Sequence, residues 1–353
     1  MRLGAVPQNV FEAAALAAGE VPTPLIDTLV ALLLANTVMT GTSVGLFDAL
    51  ADGPLSAEEV AARCQTDPRA TERLLRALCG CKYLRWQGDR YGLARLARRW
   101  LIRHREGSVA AAVLHRTLDL RFMTFEDYVR KGISQDFHTQ LTPSDWEIYH
   151  AGQASHAELV IAEVLELVQI SGQATRLLDL GGGHGRFALA FCRRYSSLHA
   201  DVVDLARTAA QDAPSVSNAI ADRIHYHVAD IRSSAISEQA YDVVLLANVV
   251  HHFDGPTNRR LIEGAARALR EDGMLVVIDA FRSRSNKHVD QIEALMDLYF
   301  GAASGSRLWA IEDVRRWMIE SGLRLRTASA LRKMPLCRIQ VAAKTSRSEP
   351  VTT

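Results

Sequence analysis

Cysteine is scarce: Cys64, Cys79, Cys81, Cys192 and Cys337 are the five in 353 residues, an odd number with no C-x-x-C pair. That excludes a disulfide scaffold and makes a reducing, cytoplasmic setting the expectation. Charge of one sign is lacking too. Lys and Arg number 41 against 40 Asp and Glu, a net +1, so neither a polyanion nor a membrane surface is indicated as the main partner. A long apolar run is also missing. Twenty uncharged residues separate Asp27 from Asp48, but Asn36, Thr37, Thr40, Gly41, Thr42, Ser43 and Gly45 fill the second half. Only Leu29–Ala35 is continuously apolar, short of the roughly 20 residues a membrane span needs. The stretch reads as a buried or subunit-interface helix. Glu12 interrupts the apolar N-terminal stretch, so no signal-peptide core is expected. With 48% apolar and 23% charged residues, a fibrous, collagen-like or wholly disordered chain is excluded.

What is there changes texture along the chain. Val21-Pro22-Thr23-Pro24 stops any helix. Leu25–Met39 and Ser43–Asp52 are apolar at helical spacing. Ser56 with Glu59 predicts a capping box for a helix over Ala57–Cys64, and Asp67-Pro68 a cap before Arg69–Cys79. Tyr83–Gln87 and Arg90–Leu93 flank Gly88-Asp89, a hairpin signal. Helix, turn, helix and two-stranded wing make a winged-helix pattern over about residues 25–101. Residues 108–170 read as helical, clearest over Tyr149–Val168 and irregular around Gly132–Ser144. Beyond Arg176 short apolar strands alternate with amphipathic helices: Leu177–Leu180, Ala200–Asp204, Ile224–Val228, Val243–Ala247, Met274–Ile278 and Ile339–Ala343. That alternation predicts an α/β fold with a mostly parallel sheet covered on both faces. The expected domains are 1–105, a helical linker at 106–170 contributing to a substrate pocket, 171–345, and a disordered tail at 346–353.

Leu177–Phe187, with the core Gly181-Gly182-Gly183-His184-Gly185, is a strand running through glycines into a helix. Glycines permit a tight turn and let a ligand approach backbone beside a helix N-terminus. From Gly181 the dinucleotide fingerprint wants glycine or alanine at 186, where Arg186 stands; from Gly183, Gly185 and Ala188 fit, so a nucleotide-dehydrogenase reading stays open. Two acids add to the pattern. Asp204 ends the second strand, 19 residues after Gly185, where a carboxylate can accept both hydroxyls of a ribose. Asp230 ends the third, where an acid can accept from an adenine amino group.

Leu178–Gly185 followed by Asp204 and Asp230 resembles the class I S-adenosylmethionine-dependent methyltransferases. With the winged-helix front end, about residues 25–344 resemble the small-molecule O-methyltransferases of plant phenolic and bacterial natural-product pathways. The resemblance implies S-adenosyl-L-methionine as donor, a Rossmann-like seven-stranded sheet and a homodimer built through the N-terminal helices. It implies Asp179, Gly181, Gly183, Gly185, Asp204, Asp230 and Asn248 as cofactor-binding residues.

Val243–Ala247 runs into Asn248-Val249-Val250-His251-His252-Phe253-Asp254. This resembles the family's strand followed by His-Asp-Trp, which places His251 on the general base, His252 on the aspartate and Phe253 on the tryptophan. A phenol with a pKa near ~10 is a poor nucleophile until its proton leaves, and an ordinary histidine, near ~6.5, can take that proton at neutral pH. Asp279, ending Val276-Val277-Ile278, is the expected orienting carboxylate. The family often carries a second glutamate where this chain has Ser304–Trp309, a stretch without an acid. C- or N-methylation, or a homologue that binds the donor without transferring its methyl, therefore stays open. For the acceptor pocket the resemblance implies Trp146, Tyr149, His252, Met296, Tyr299, Phe300 and Trp309, a set suited to a flat apolar molecule.

Two other readings have some footing. Between Arg63 and Arg105 stand 12 Lys/Arg against 3 Asp/Glu, which on a winged helix could contact nucleic-acid phosphates. His251 and His252 with Asp279 or His288 could bind a metal, though the spacing is not diagnostic. The favoured expectation is a small-molecule methyltransferase with no metal, nucleic acid or membrane partner.

Overall fold

The computed structural model describes residues 3–122, 124–135, 137–205, 220, 222–233, 236–284 and 289–345. The tail at 346–353 and His288 lie outside them. The chain divides into two compact units, Met1–Phe122 with Thr142–His156, and Met123–Leu141 with Ala157–Thr353. The segment expected to form a separate linker is therefore shared between the two. One helix, Pro143–Leu167, runs from the first into the second.

In the first unit the capping box forms as its residues require. Ser56 Oγ accepts from the Glu59 N–H at 3.2 Å and Glu59 Oε2 accepts from the Ser56 N–H at 2.7 Å, opening the helix Ala57–Cys64. Asp67 caps Pro68–Gly80. Strands β1 (Leu84–Gln87) and β2 (Arg90–Leu93) close the wing. Leu46, Phe47, Val60, Leu75, Leu78 and Tyr91 are buried between these elements. Part of the basic cluster is engaged within the unit. Arg63 donates to the Ala49 carbonyl (2.9 Å), Arg98 to Ala51 (3.1 Å), Arg105 to Arg98 (2.8 Å) and Arg103 to Ser43 (2.9 Å). These guanidiniums close the C-terminal ends of neighbouring helices and turns.

The prolines before residue 25 do not keep helix away: Pro24 sits in the first turn of a helix, where its missing N–H costs nothing. That helix continues over Thr23–Ser43, 21 residues with a mean hydropathy of 1.5 in its most apolar window. It is longer and more evenly apolar than the sequence reading allowed, and by length and composition alone it could cross a bilayer. Leu25, Leu29 and Leu33, at four-residue spacing, are 62%, 57% and 56% exposed.

The second unit is built on a sheet of order β5-β4-β3-β6-β7-β10-β9. Here β3 is Arg176–Leu180, β4 His199–Asp204, β5 Ile224–Val228, β6 Tyr241–Ala247 and β7 Leu269–Arg282, these five parallel to one another. Strands β9 (Leu323–Leu331) and β10 (Met334–Lys344) add an antiparallel hairpin beyond β7. A two-residue β8, Trp309–Ala310, pairs with the end of β7. The expected six segments thus become seven strands in line plus this short eighth. Alternation along each strand feeds two cores. Val243, Leu245 and Ala247 pack with Phe187 and Phe191 on one face; Val244 and Leu246 pack with Ile262 and Trp317 on the other. The chain winds outward from β3 through β4 to β5, then returns to lay β6 on its other side. That makes the C-terminal edge between β3 and β6 the switch point, where open α/β sheets bind ligands.

Candidate active site

The glycine loop leaves β3 at Gly181 and enters the helix Arg186–Arg194. Gly181, Gly183 and Gly185 have φ of 70°, 52° and 68°, the region that favours glycine. Gly182 is required by space. A Cβ there would lie 2.6 Å from Asp179 Cγ and 2.8 Å from Val202 Cγ1. On the side where Gly183 would carry a side chain, nothing among the described residues lies within 4 Å of a Cβ position. Its N–H donates to Asp204 Oδ2 at 2.8 Å, and Asp204 Oδ1 accepts from the Leu205 N–H at 2.7 Å. The second strand's acid is thereby held against the outer edge of the loop.

Asp179 lies beneath that loop, wholly buried, and among the described residues neither carboxylate oxygen has a hydrogen-bond partner. Burial pushes its pKa up to about 7; the Asp204 charge pushes the same way, and the nearby Ala188 N–H opposes both. Asp230 has a partner in its own loop. Its carboxylate is clasped by Arg232, with Nε at 3.0 Å from both oxygens and Nη2 at 2.6 Å from Oδ2, which holds it below the usual carboxylate range. Any adenine contact there competes with this fork. Asn248, exposed, ends β6 in the left-handed region at φ 56° and anchors by its N–H to the Ile278 carbonyl (2.7 Å).

His251 lies on a short turn, Val250–His252, past the end of β6. Pairing of β6 with β7 sets Ala247 opposite Ile278, which brings His251 beside Asp279. His251 Nδ1 and Asp279 Oδ1 are 2.7 Å apart, and both side chains are buried. Asp279 Oδ1 also accepts from the Ala280 N–H at 2.7 Å. The carboxylate therefore holds the Nδ1–H tautomer, leaving Nε2 as the basic nitrogen. Among the described residues Nε2 has no hydrogen bond. Phe300 stacks on the imidazole at 4.5 Å and 29°, while exposed His252 lies 4.1 Å away on a ring tilted by 43°. Asn258, which the sequence reading missed, is fully buried and donates to the carbonyls of Val250 (2.8 Å) and Phe253 (3.0 Å). It pins the turn that carries the histidine. Val249, on the same turn, packs where a Gly181 Cβ would be, 2.7 Å from its Cγ2. The donor loop and the histidine turn are thus in contact.

The expected pocket residues separate by unit. Tyr299 packs edge-on against Phe300 (5.4 Å), Met296 lies against the adjoining core, and Trp309 donates from Nε1 to the Phe253 carbonyl (3.1 Å). Trp146 and Tyr149 belong to the first unit, where their rings meet at 5.4 Å and Tyr149 lies edge-on to His115 at 4.8 Å. His156 in that unit is held down at about 4 by burial and by Arg116. Of the proposed metal ligands, His251 is bonded to Asp279 through Nδ1, and no group of three His, Cys, Asp or Glu able to hold a metal occurs among the described residues.

Methyl transfer from a sulfonium asks for backbone that a cationic donor can approach, acids along one sheet edge, and an acceptor-side base one strand over. The orphaned Asp179 carboxyl and the open face at Gly183 suit such a donor, and this layout defines the class of S-adenosylmethionine-dependent methyltransferases. Comparison then fixes the family: the chain belongs to the O-methyltransferases, with residues 110–322 matching the O-methyltransferase domain and residues 26–103 the O-methyltransferase dimerisation domain. It is 25% identical over 314 residues to 3-hydroxy-5-methyl-1-naphthoate 3-O-methyltransferase of Streptomyces sahachiroi, covering 85% of this chain and 89% of that one. It is 25% identical over 311 residues to the N,N-dimethyltransferase OxyT of Streptomyces rimosus, covering 84% and 89%. Its fold is that of human N-acetylserotonin methyltransferase, with a TM-score of 0.77 at 18% identity over 98% of this chain and 100% of that one. The protein is accordingly a methyltransferase of natural-product type that draws its methyl group from S-adenosyl-L-methionine.

Proposed function

We propose that the protein methylates a hydroxyl of a small, apolar, aromatic acceptor, with His251 as general base and Asp279 as its orienting partner. The buried His251–Asp279 contact of 2.7 Å, at the switch point beside the glycine loop, is the observation that carries this reading. S-Adenosylmethionine, when bound, supplies a methyl on a sulfonium, whose carbon–sulfur bond breaks as the acceptor oxygen bonds that carbon. Asp179, Gly181, Gly183, Gly185, Asp204, Asp230 and Asn248 hold that donor. His251 Nε2 takes the acceptor's proton, and Asp279 keeps the other nitrogen protonated. Phe300, Tyr299, Met296, Trp309 and His252 flank the acceptor. Two copies associate as a homodimer, in the cytoplasm, through the apolar face of Thr23–Ser43.

An N-acceptor is the second reading, favoured by the similarity to an N,N-dimethyltransferase. An amine carries its own lone pair and needs the base less. Labelled methyl transfer to a panel of phenols and aryl amines, with His251→Ala and His252→Ala, separates the two. His251→Ala should lower phenol turnover by about 10²–10⁴-fold with little change in donor affinity. Asp279→Asn removes a charged hydrogen bond worth about 1.5–3 kcal/mol and should cost less, roughly 10–10²-fold. His252→Ala should matter least. Wild-type turnover of phenols by His251→Ala would sink the base assignment.

A further inference from the structure

Between Ser304 and Trp309 no acid stands, and the structure shows a cation in that place. The Arg307 N–H donates to the His251 carbonyl at 3.2 Å, making Arg307 the backbone neighbour of the base. The main chain around it is tied on both sides. Asp297 Oδ1 accepts from the Leu308 N–H at 2.7 Å, and the Leu308 carbonyl accepts from Arg282 Nε at 3.1 Å. The Arg307 guanidinium lies over the Trp309 ring, 4.8 Å from its centroid. That indole is itself fixed by its bond to Phe253 and by an edge contact with Trp317 at 5.1 Å. Nearby Arg284 is neutralised by Asp313 at 2.7 Å. Arg307 is exposed, and among the described residues it forms no ion pair.

An exposed arginine is ordinarily a solvated surface charge. Here the backbone bond sets Arg307 next to the base, and the aromatic plate beneath the guanidinium orders its planar donor fork. Such a fork matches a carboxylate, with two parallel N–H donors and geometric selectivity that a lysine lacks. We propose that Arg307 determines acceptor specificity by binding a carboxylate carried next to the methylated hydroxyl, so that the acceptor is an aromatic hydroxy acid. This rests on the reading of His251 as the base at the hydroxyl, and it adds the anionic group that reading lacks. A carboxylate on Arg307 sets the adjacent hydroxyl toward His251.

The test is calorimetric, on the full-length protein loaded with S-adenosylhomocysteine, using 3-hydroxy-2-naphthoate and 2-naphthol as probes. Wild type should bind the naphthoate about tenfold or more tightly than the naphthol, a charge-assisted contact that Arg307→Gln removes. In Arg307→Gln the two affinities should converge, through loss of the naphthoate alone; Arg307→Lys should keep part of the preference. A ratio near one in wild type, a ratio that survives Arg307→Gln, or no naphthoate binding overturns the inference. Binding here needs no proton transfer. A preference that vanishes with Arg307 while His251→Ala leaves turnover intact would sink only the base assignment. A missing preference with a sensitive His251 would sink only this inference.

Discussion

Asp179 is a carboxyl buried beneath a glycine loop with no donor bonded to it among the described residues, and its burial bears on stability. Its folded pKa is pushed up to about 7 from an ordinary value of 3.8, burial being the main cause. The folded chain therefore holds a proton that the unfolded chain has already released across this range. Stability must fall as pH rises, because the native state binds more protons than the unfolded state. The advantage of the protonated form is fully present below the unfolded value and gone above the folded one. Linkage sets the whole effect at about 4 kcal/mol, of which roughly 2.5 kcal/mol is lost between pH 5 and 8. Other acids titrate too, so wild type alone does not isolate the group. Asp179→Asn keeps the shape and cannot ionise. Urea unfolding of both proteins without donor, at unit steps from pH 5 to 8, gives a difference that belongs to Asp179. The variant should gain on wild type by about 2.5 kcal/mol over that interval. A difference that stays flat within about 0.5 kcal/mol would refute the reasoning, because it would mean the carboxyl is ionised in the fold at pH 5. With the cationic donor present the slope should shrink, since a nearby positive charge favours the carboxylate.

Two further outcomes follow from the geometry. Asp204→Ala removes the acceptor for the Gly183 N–H, now at 2.8 Å, together with the proposed acceptors for the ribose; donor affinity by calorimetry should drop about tenfold or more, and unchanged affinity would remove Asp204 from the donor site. The face of Leu25, Leu29 and Leu33 should hold a dimer together, so light scattering should return twice the 38.9 kDa chain mass and Leu29→Glu with Leu33→Glu should return the monomer; a wild-type chain already at monomer mass at micromolar concentration contradicts the interface.

Elements whose signals are local were legible in the sequence. The Ser56–Glu59 box defines Ala57–Cys64 to the residue, since a cap needs only two side chains three positions apart. Ile224–Val228 is found at its expected bounds, because Ile224, Tyr226 and Val228 alternate with His225 and His227 at the strand period. Leu323–Leu331 escaped notice. Arg324 and Arg326 interrupt it, and as the edge strand it buries only one side against β10. Trp309–Ala310 is too short to carry a period. The division of residues 106–170 between two units is a property of tertiary packing, and nothing in a helical pattern announces it.

The same contrast runs through the site. The donor end is written almost entirely in backbone terms: glycines that only glycine can replace, and acids at the ends of consecutive strands. A few adjacent residues suffice for that, which is why the glycine motif is recognisable while relatives at 25% identity carry names as different as O-methyltransferase and N,N-dimethyltransferase. The acceptor end is assembled from afar. His251 and Asp279 are 28 residues apart and meet because β6 and β7 are in register. Asn258 and Arg307 reach the same turn from a helix and a loop whose sequence gives no hint of it. A paired histidine motif pointed to the proposed base, but whether Nε2 faces a neutral ring, an amine or an anion depends on contacts such as that of Arg307, which no spacing rule contains. On the proposal for Arg307, the acceptor's charge is then a property that three-dimensional packing decides.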